Sequence, residues 1–152
     1  MSIDRRALLA LLLTLPATAA RSRDRYSAAD VEVRLSNIVA SRIRTDMPGR
    51  IASQIRRRGG GGGRPVRVIV ELRTIDPPSP TQPNLPRAVA AAYRVVDLAT
   101  GRTVGSDRFT ERTTRREDVA GTAGFLHYPR SAAQEERELA DEVARHVLRY
   151  GL

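Results

Sequence analysis

Between Val66 and Ile75, after Arg64-Pro65, the chain shows its clearest alternation of the kind a half-buried β-strand requires. Val66, Val68, Val70 and Leu72 fall on one side; Arg67, Ile69, Glu71 and Arg73 fall on the other. A strand of this kind has one dry face and one wetter face, so it needs a second layer on the dry side. Everything else in the chain can be asked a single question: what supplies that layer?

Two segments answer it. Thr45 or Asp46 can cap a helix whose first turn holds Pro48, where a missing amide hydrogen costs little. Met47, Ile51 and Ile55 then repeat every four residues as one apolar stripe, and Arg56, Arg57 and Arg58 close the helix before the run Gly59–Gly63. The second segment starts at Ser131, which with Gln134 makes a capping box. Its stripe is Leu139, Ala140, Val143, Val147 and Leu148, and Gly151 ends it. Glu135, Glu136, Glu138, Asp141 and Glu142 read as the solvated face of this helix, and His146 as a dipole partner near its end.

Three more strands complete the sheet. Val31, Val33 and Leu35 alternate with Glu32, Arg34 and Ser36, and the β-branched alternation favours a strand over the helical pattern Val31, Leu35, Ile38, Val39. Residues 38–45 read as a connection. Residues 87–98 and 103–113 read as a hairpin turning at Asp97–Arg102, with Gly101 free for positive φ. The five prolines Pro77, Pro78, Pro80, Pro83 and Pro86 exclude regular structure between the second and third strands, and residues 114–130 read as irregular. The expected fold is α+β: two layers, a four-stranded sheet with two helices on one face, in the order β-α-β-β-β-α.

The N-terminus sets an expected location. Arg5 and Arg6 precede a short apolar run from Ala7 to Leu15, then Pro16 and small residues through Ala20. That is the layout of a cleavable bacterial signal peptide over residues 1–20, and the apolar run is too short to span a bilayer. Both the general secretory route and the twin-arginine route fit it. A polar leader is expected over 21–29 and one α+β domain over 30–152, working in the periplasm. The chain has no cysteine, which removes disulfides, thiolate metal sites, a cysteine nucleophile and an acylated lipobox.

The hairpin run Ala92-Tyr93-Arg94-Val95-Val96-Asp97-Leu98-Ala99-Thr100-Gly101 resembles the Tyr-x-Leu-x-Asp-x-x-Thr-Gly hairpin of small envelope proteins of the LptE type. Glu138-Leu139-Ala140-Asp141-Glu142-Val143-Ala144 resembles the closing helix of the same family. The resemblance implies a domain that plugs the barrel inserting lipopolysaccharide in the outer membrane and contacts that lipid through basic residues.

The chemistry is sparse. Every one of the 26 basic residues is arginine, and the net charge is +9. A basic exported domain is drawn to anionic surfaces. The candidate anion-binding residues are Arg108, Arg112, Arg115 and Arg116; a secondary basic cluster is Arg56, Arg57, Arg58 and Arg64. Aromatic residues make up only 4% of the chain, which argues against nucleic acid as partner. No spacing of His, Asp or Glu predicts a metal, no Gly-x-Ser-x-Gly elbow occurs, and the Gly59–Gly63 run follows a helix rather than a strand, unlike a phosphate loop. No cofactor and no catalytic residue are expected. The expected function is a non-enzymatic envelope accessory protein, with an envelope protein or an anionic glycolipid as partner, at most peripheral to the membrane. A module that binds anionic glycolipid directly is the second reading, and a small hydrolase around His127 the third.

Overall fold

The computed structural model describes residues 26–78, 86–113 and 131–152. The signal-like segment, Arg115, Arg116 and His127 lie outside the described residues. The elements are β1 (Tyr26–Leu35), α1 (Asn37–Arg42), α2 (Met47–Gly59), β2 (Arg64–Ile75), β3 (Ala88–Asp97), β4 (Thr103–Arg112) and α3 (Ala132–Tyr150). The four strands form one mixed sheet in the order β1-β2-β3-β4. β1 runs parallel to β2, while β2–β3 and β3–β4 are antiparallel.

The second layer is the one that the alternation of β2 demands. Val66, Val68, Val70 and Leu72 are sealed from solvent together with Met47, Ile51 and Ile55 of α2 and Leu139, Ala140, Val143 and Val147 of α3. Val31 of β1 and Val89, Ala91, Tyr93 and Val95 of β3 join the same core. The helices therefore pack on one face of the sheet, and the other face carries none of them. Asp46 caps α2 by accepting from the Gly49 amide at 3.0 Å. Both halves of the α3 capping box form: Ser131 accepts from the Gln134 amide at 3.2 Å, and Gln134 accepts from the Ser131 amide at 2.9 Å.

The structure departs from the expected boundaries in two places. The polar leader ends sooner: residues 26–29 already belong to β1, with Tyr26 opposite Arg64 and Ala28 opposite Val66. A bulge between Ala28 and Asp30 inserts one residue and resets the alternation, so that Ala28 and Val31 both face the core. The period-2 pattern read backwards from Val31 puts Ala29 inside instead, which hides the start of the strand. The 38–45 connection also contains a helix, α1. Ser36 caps it, accepting from the Val39 amide at 3.2 Å, and its hydroxyl donates to the Arg73 carbonyl at 2.7 Å. Six residues are too few to display a stripe; Val39 alone is buried and Ile38 is half exposed.

Two ion-pair systems tie the helices down. Across the α2–α3 contact, Arg50 grips Asp141 with two parallel bonds of 2.6 and 2.8 Å, and Gln54 donates to the same carboxylate. The hydrogen bond from Arg50 holds the Asp141 carboxyl below its ordinary value, against the opposing effect of partial burial; further pull comes from the Arg50 charge, Gln54 and Arg58. Asp141 thus stays ionised to lower pH in the folded chain than in the unfolded one. Its stabilising contribution is complete above the unfolded value and fades as pH falls through the lower, folded value. Urea midpoints of the wild type and Asp141→Asn should differ at neutral pH and converge in acid. A gap that stays constant down to strongly acidic pH would refute this linkage.

The second system corrects the solvated reading of the α3 acids. Glu136 is fully buried and Glu135 nearly so. Glu136 accepts from the Arg44 amide (3.0 Å), the Thr45 amide (2.9 Å) and the Thr45 hydroxyl (2.8 Å). Arg87, itself only 3% exposed, lies 3.3 Å from Glu135 and 4.0 Å from Glu136, and also donates to the Asp76 carbonyl at 3.0 Å. The first turn of α3 is in this way stitched to the α1–α2 link and to the start of β3.

Candidate functional site

The sheet face turned away from α2 and α3 carries one group of arginines that no carboxylate pairs among the described residues. Alternation sorts the side chains. On β3, Tyr93 and Val95 point into the core, so Arg94 points out. On β4, Phe109 stacks on His146 of α3 and Asp107 and Glu111 reach the same ring, so Arg108 and Arg112 take the open face.

The β1–β2 half of this face balances itself. Arg67 pairs with Asp30 at 2.6 Å, Arg34 with Glu32 at 2.7 Å and Arg73 with Glu71 at 3.5 Å. The β3–β4 half has no such balance. Arg94, Arg108 and Arg112 are all exposed, and among the described residues no carboxylate pairs with any of them. Ser106 faces Arg94 and Ala92 faces Arg108, so Arg94 and Arg108 are diagonal neighbours, about 7–8 Å apart along the sheet and within reach of long side chains. Arg112 lies four residues, about 13 Å, farther along β4. A cavity of about 360 Å³ sits beside the first two. Ile69 and Ala92 give it an apolar floor; Arg73, Arg94 and Arg108 line it together with the acids Glu71, which Arg73 pairs, and Asp107, which reaches His146. Guanidinium forks flanking a shallow apolar floor suit phosphate or carboxylate oxygens.

Of the four candidate anion-binding arginines, then, Arg108 and Arg112 share one face, while Arg115 and Arg116 are outside the described residues. Arg94 joins the first two, although no charge cluster in the sequence marks it. The secondary basic cluster does not gather at one place. Arg56 donates to the Val31 carbonyl at 2.9 Å, Arg64 pairs with Asp97 at 2.5 Å, Arg57 is exposed, and Arg58 lines a different cavity.

Two other features hold chemistry-bearing groups. His146 lies flat on Phe109, with ring centroids 3.8 Å apart, and meets Glu111 through Nδ1 at 2.7 Å and Asp107 through Nε2 at 3.4 Å. Both ring nitrogens therefore face carboxylates, which makes the residue a strap between α3 and β4. Nearby, burial pushes the Tyr93 phenol up, and the Asp107 charge adds to the effect. Among the described residues, no three His, Asp or Glu side chains group as metal ligands. Asp97, the acid of the hairpin motif, is 2% exposed and accepts from the Ala99 and Thr100 amides at 2.8 and 3.1 Å while pairing with Arg64. Gly101 takes φ +67°. The Asp-x-x-Thr-Gly spacing is explained by the turn it builds.

No protein-family model matches the chain. No curated protein matches it either. Solved structures do. One is a crystal structure described as that of a lipoprotein from Caulobacter crescentus, 14% identical over 76% of this chain and 84% of that one, with a TM-score of 0.41. Another is a PelC dodecamer from Paraburkholderia phytofirmans, 12% identical over 80% of this chain and 84% of that one, with a TM-score of 0.36. Among the described residues no helix is long and apolar enough to cross a membrane.

Proposed function

We propose that the protein is a non-enzymatic accessory protein of the bacterial envelope that works by binding, and that its open sheet face takes the phosphate groups of an anionic glycolipid. The observation that carries this reading is the trio Arg94, Arg108 and Arg112, exposed on one face, the first two beside a cavity, and without a paired carboxylate among the described residues. The signal-like N-terminus supports a location where such lipids occur. A solvated arginine has no preferred partner; three on one rigid sheet form a patterned anion surface. The resemblance of the hairpin to LptE-type proteins adds little to an assembly role, because Asp97 and Gly101 are accounted for by the turn itself.

The test is binding to lipopolysaccharide micelles. Affinity should fall steeply as salt rises from about 0.1 to about 1 M, where the screening length shrinks from about 10 to about 3 Å. Replacing Arg94, Arg108 and Arg112 by glutamine should weaken binding by about tenfold for each charge-assisted hydrogen bond removed, with the melting temperature unchanged. Salt-independent binding, or full affinity in the triple variant, would overturn the reading. Equal retention on neutral detergent micelles would do the same.

A further inference from the structure

A second cavity, of about 580 Å³, opens on the opposite side of the molecule, where β1 begins and α2 and α3 end. Tyr26, Leu148 and Leu152 line it as apolar surface; Arg58, Arg145 and Arg149 line it as charge. The end of α2 and the turn after it pass along it at Gly59, Gly61 and Gly62; a Cβ at Gly59 would come within 2.7 Å of Leu152 and 3.2 Å of Leu148, so the apolar wall closes on the backbone there.

The charge here exceeds what its surroundings use. Arg145 is tied to Glu142 at 2.5 Å, and Arg149 lies against the Tyr150 ring, 5.2 Å from its centroid. Arg58 makes no hydrogen bond or ion pair among the described residues; it acts at a distance on Asp141, which Arg50 and Gln54 already hold. The two helix C-termini offset part of this charge, at roughly half an elementary charge each. Glu142 is set against Arg145, and Arg58 and Arg149 line the same apolar wall with no carboxylate paired to either among the described residues. A volume of this size is in the range of small-ligand sites.

We propose that this cavity binds a single-chain amphiphile with a phosphate head, its alkyl chain against Tyr26, Leu148 and Leu152 and its phosphate between Arg58 and Arg149. Two guanidinium forks can share the oxygens of one phosphate, whereas a carboxylate engages only one of them bidentately. The site lies on the helix side of the sheet and does not rest on the open-face reading.

Dodecyl phosphate, below its micellar concentration, is the probe for the full chain. Calorimetry should detect saturable binding, and the amide resonances of Gly61, Gly62 and Leu152 should shift with it. Substituting Arg58→Gln and Arg149→Gln together should weaken binding by about a hundredfold, at about tenfold for each charge-assisted hydrogen bond. The open-face substitutions Arg94→Gln and Arg108→Gln should leave it unchanged, so that either site can fail without the other. Equal affinity for dodecyl maltoside would show that charge plays no part, and equal affinity for inorganic phosphate that the chain plays none. Equal affinity for dodecanoate would refute the choice of phosphate. Resonance shifts confined to Arg94, Ser106 and Arg108 would place the ligand on the other face. Any of these four results overturns the proposal.

Discussion

Glu136→Ala should destabilise the fold by about 3–5 kcal/mol, a large part of what a domain of this size possesses. The side chain is fully buried, and one carboxylate satisfies two backbone amides and the Thr45 hydroxyl. Removing it leaves all three donors without that acceptor and leaves Arg87 with Glu135 as its one buried counter-charge among the described residues. Arg87 already has one buried nitrogen, Nη2, without a partner among the described residues, so the site has no slack to absorb the loss. Glu136→Gln keeps the shape and one accepting oxygen but gives up the charge; it should cost less, about 1–3 kcal/mol. Urea titration with an unchanged slope measures both. If Glu136→Ala lies within 1 kcal/mol or so of the wild type, the buried network is dispensable and the Arg44–Thr45 link is held by other interactions.

That residue also marks where sequence reading stops. An acid near the start of a helix is explained sufficiently by the dipole or by a solvated face, and nothing local distinguishes Glu136 from Glu138. What separates them is the α1–α2 link, which is more than ninety residues away in the chain and presents its free amides at Arg44 and Thr45. Patterns carried by period were legible. The stripe of α2, the dry face of β2, the hairpin and the capping box of α3 all stand where spacing puts them. Features that break a period, such as the bulge at Ala28–Asp30, or are too short to have one, such as α1, were not.

The same holds at the candidate site. Arg108 and Arg112 are four apart on a strand, so they share a face as soon as the strand is recognised. Arg94 stands alone among alanines and valines, and its neighbours give no cue, because Ala91, Ala92 and Tyr93 are all buried in succession. Only the register of β3 against β4, which sets Arg94 across from Ser106 and Ala92 across from Arg108, brings it to the other two. The cavity of Arg58, Arg145 and Arg149 joins two helix ends more than eighty residues apart, a pairing that no local pattern encodes.

Ile51→Ala should cost about 2–5 kcal/mol, the range for removing a large aliphatic side chain from a core that cannot fully close over the gap. Ile51 is completely buried in the middle of the α2 stripe, in the same core as α3 and the dry face of the sheet. The helix cannot shift to fill the space without disturbing the Arg50–Asp141 bonds one residue away. Ile38→Ala is the matched control: it has the same chemistry, in a helix, but at a position 51% exposed on α1. It should change stability by no more than about 0.5 kcal/mol. Because both substitutions remove the same atoms, the difference between them isolates burial from the helix propensity gained with alanine. Ile51→Val, which removes one methylene, should fall between, at about 0.5–1.5 kcal/mol. Urea unfolding of the three variants would set the order, and equal losses at Ile51 and Ile38 would mean that α2 does not hold the second layer over the sheet.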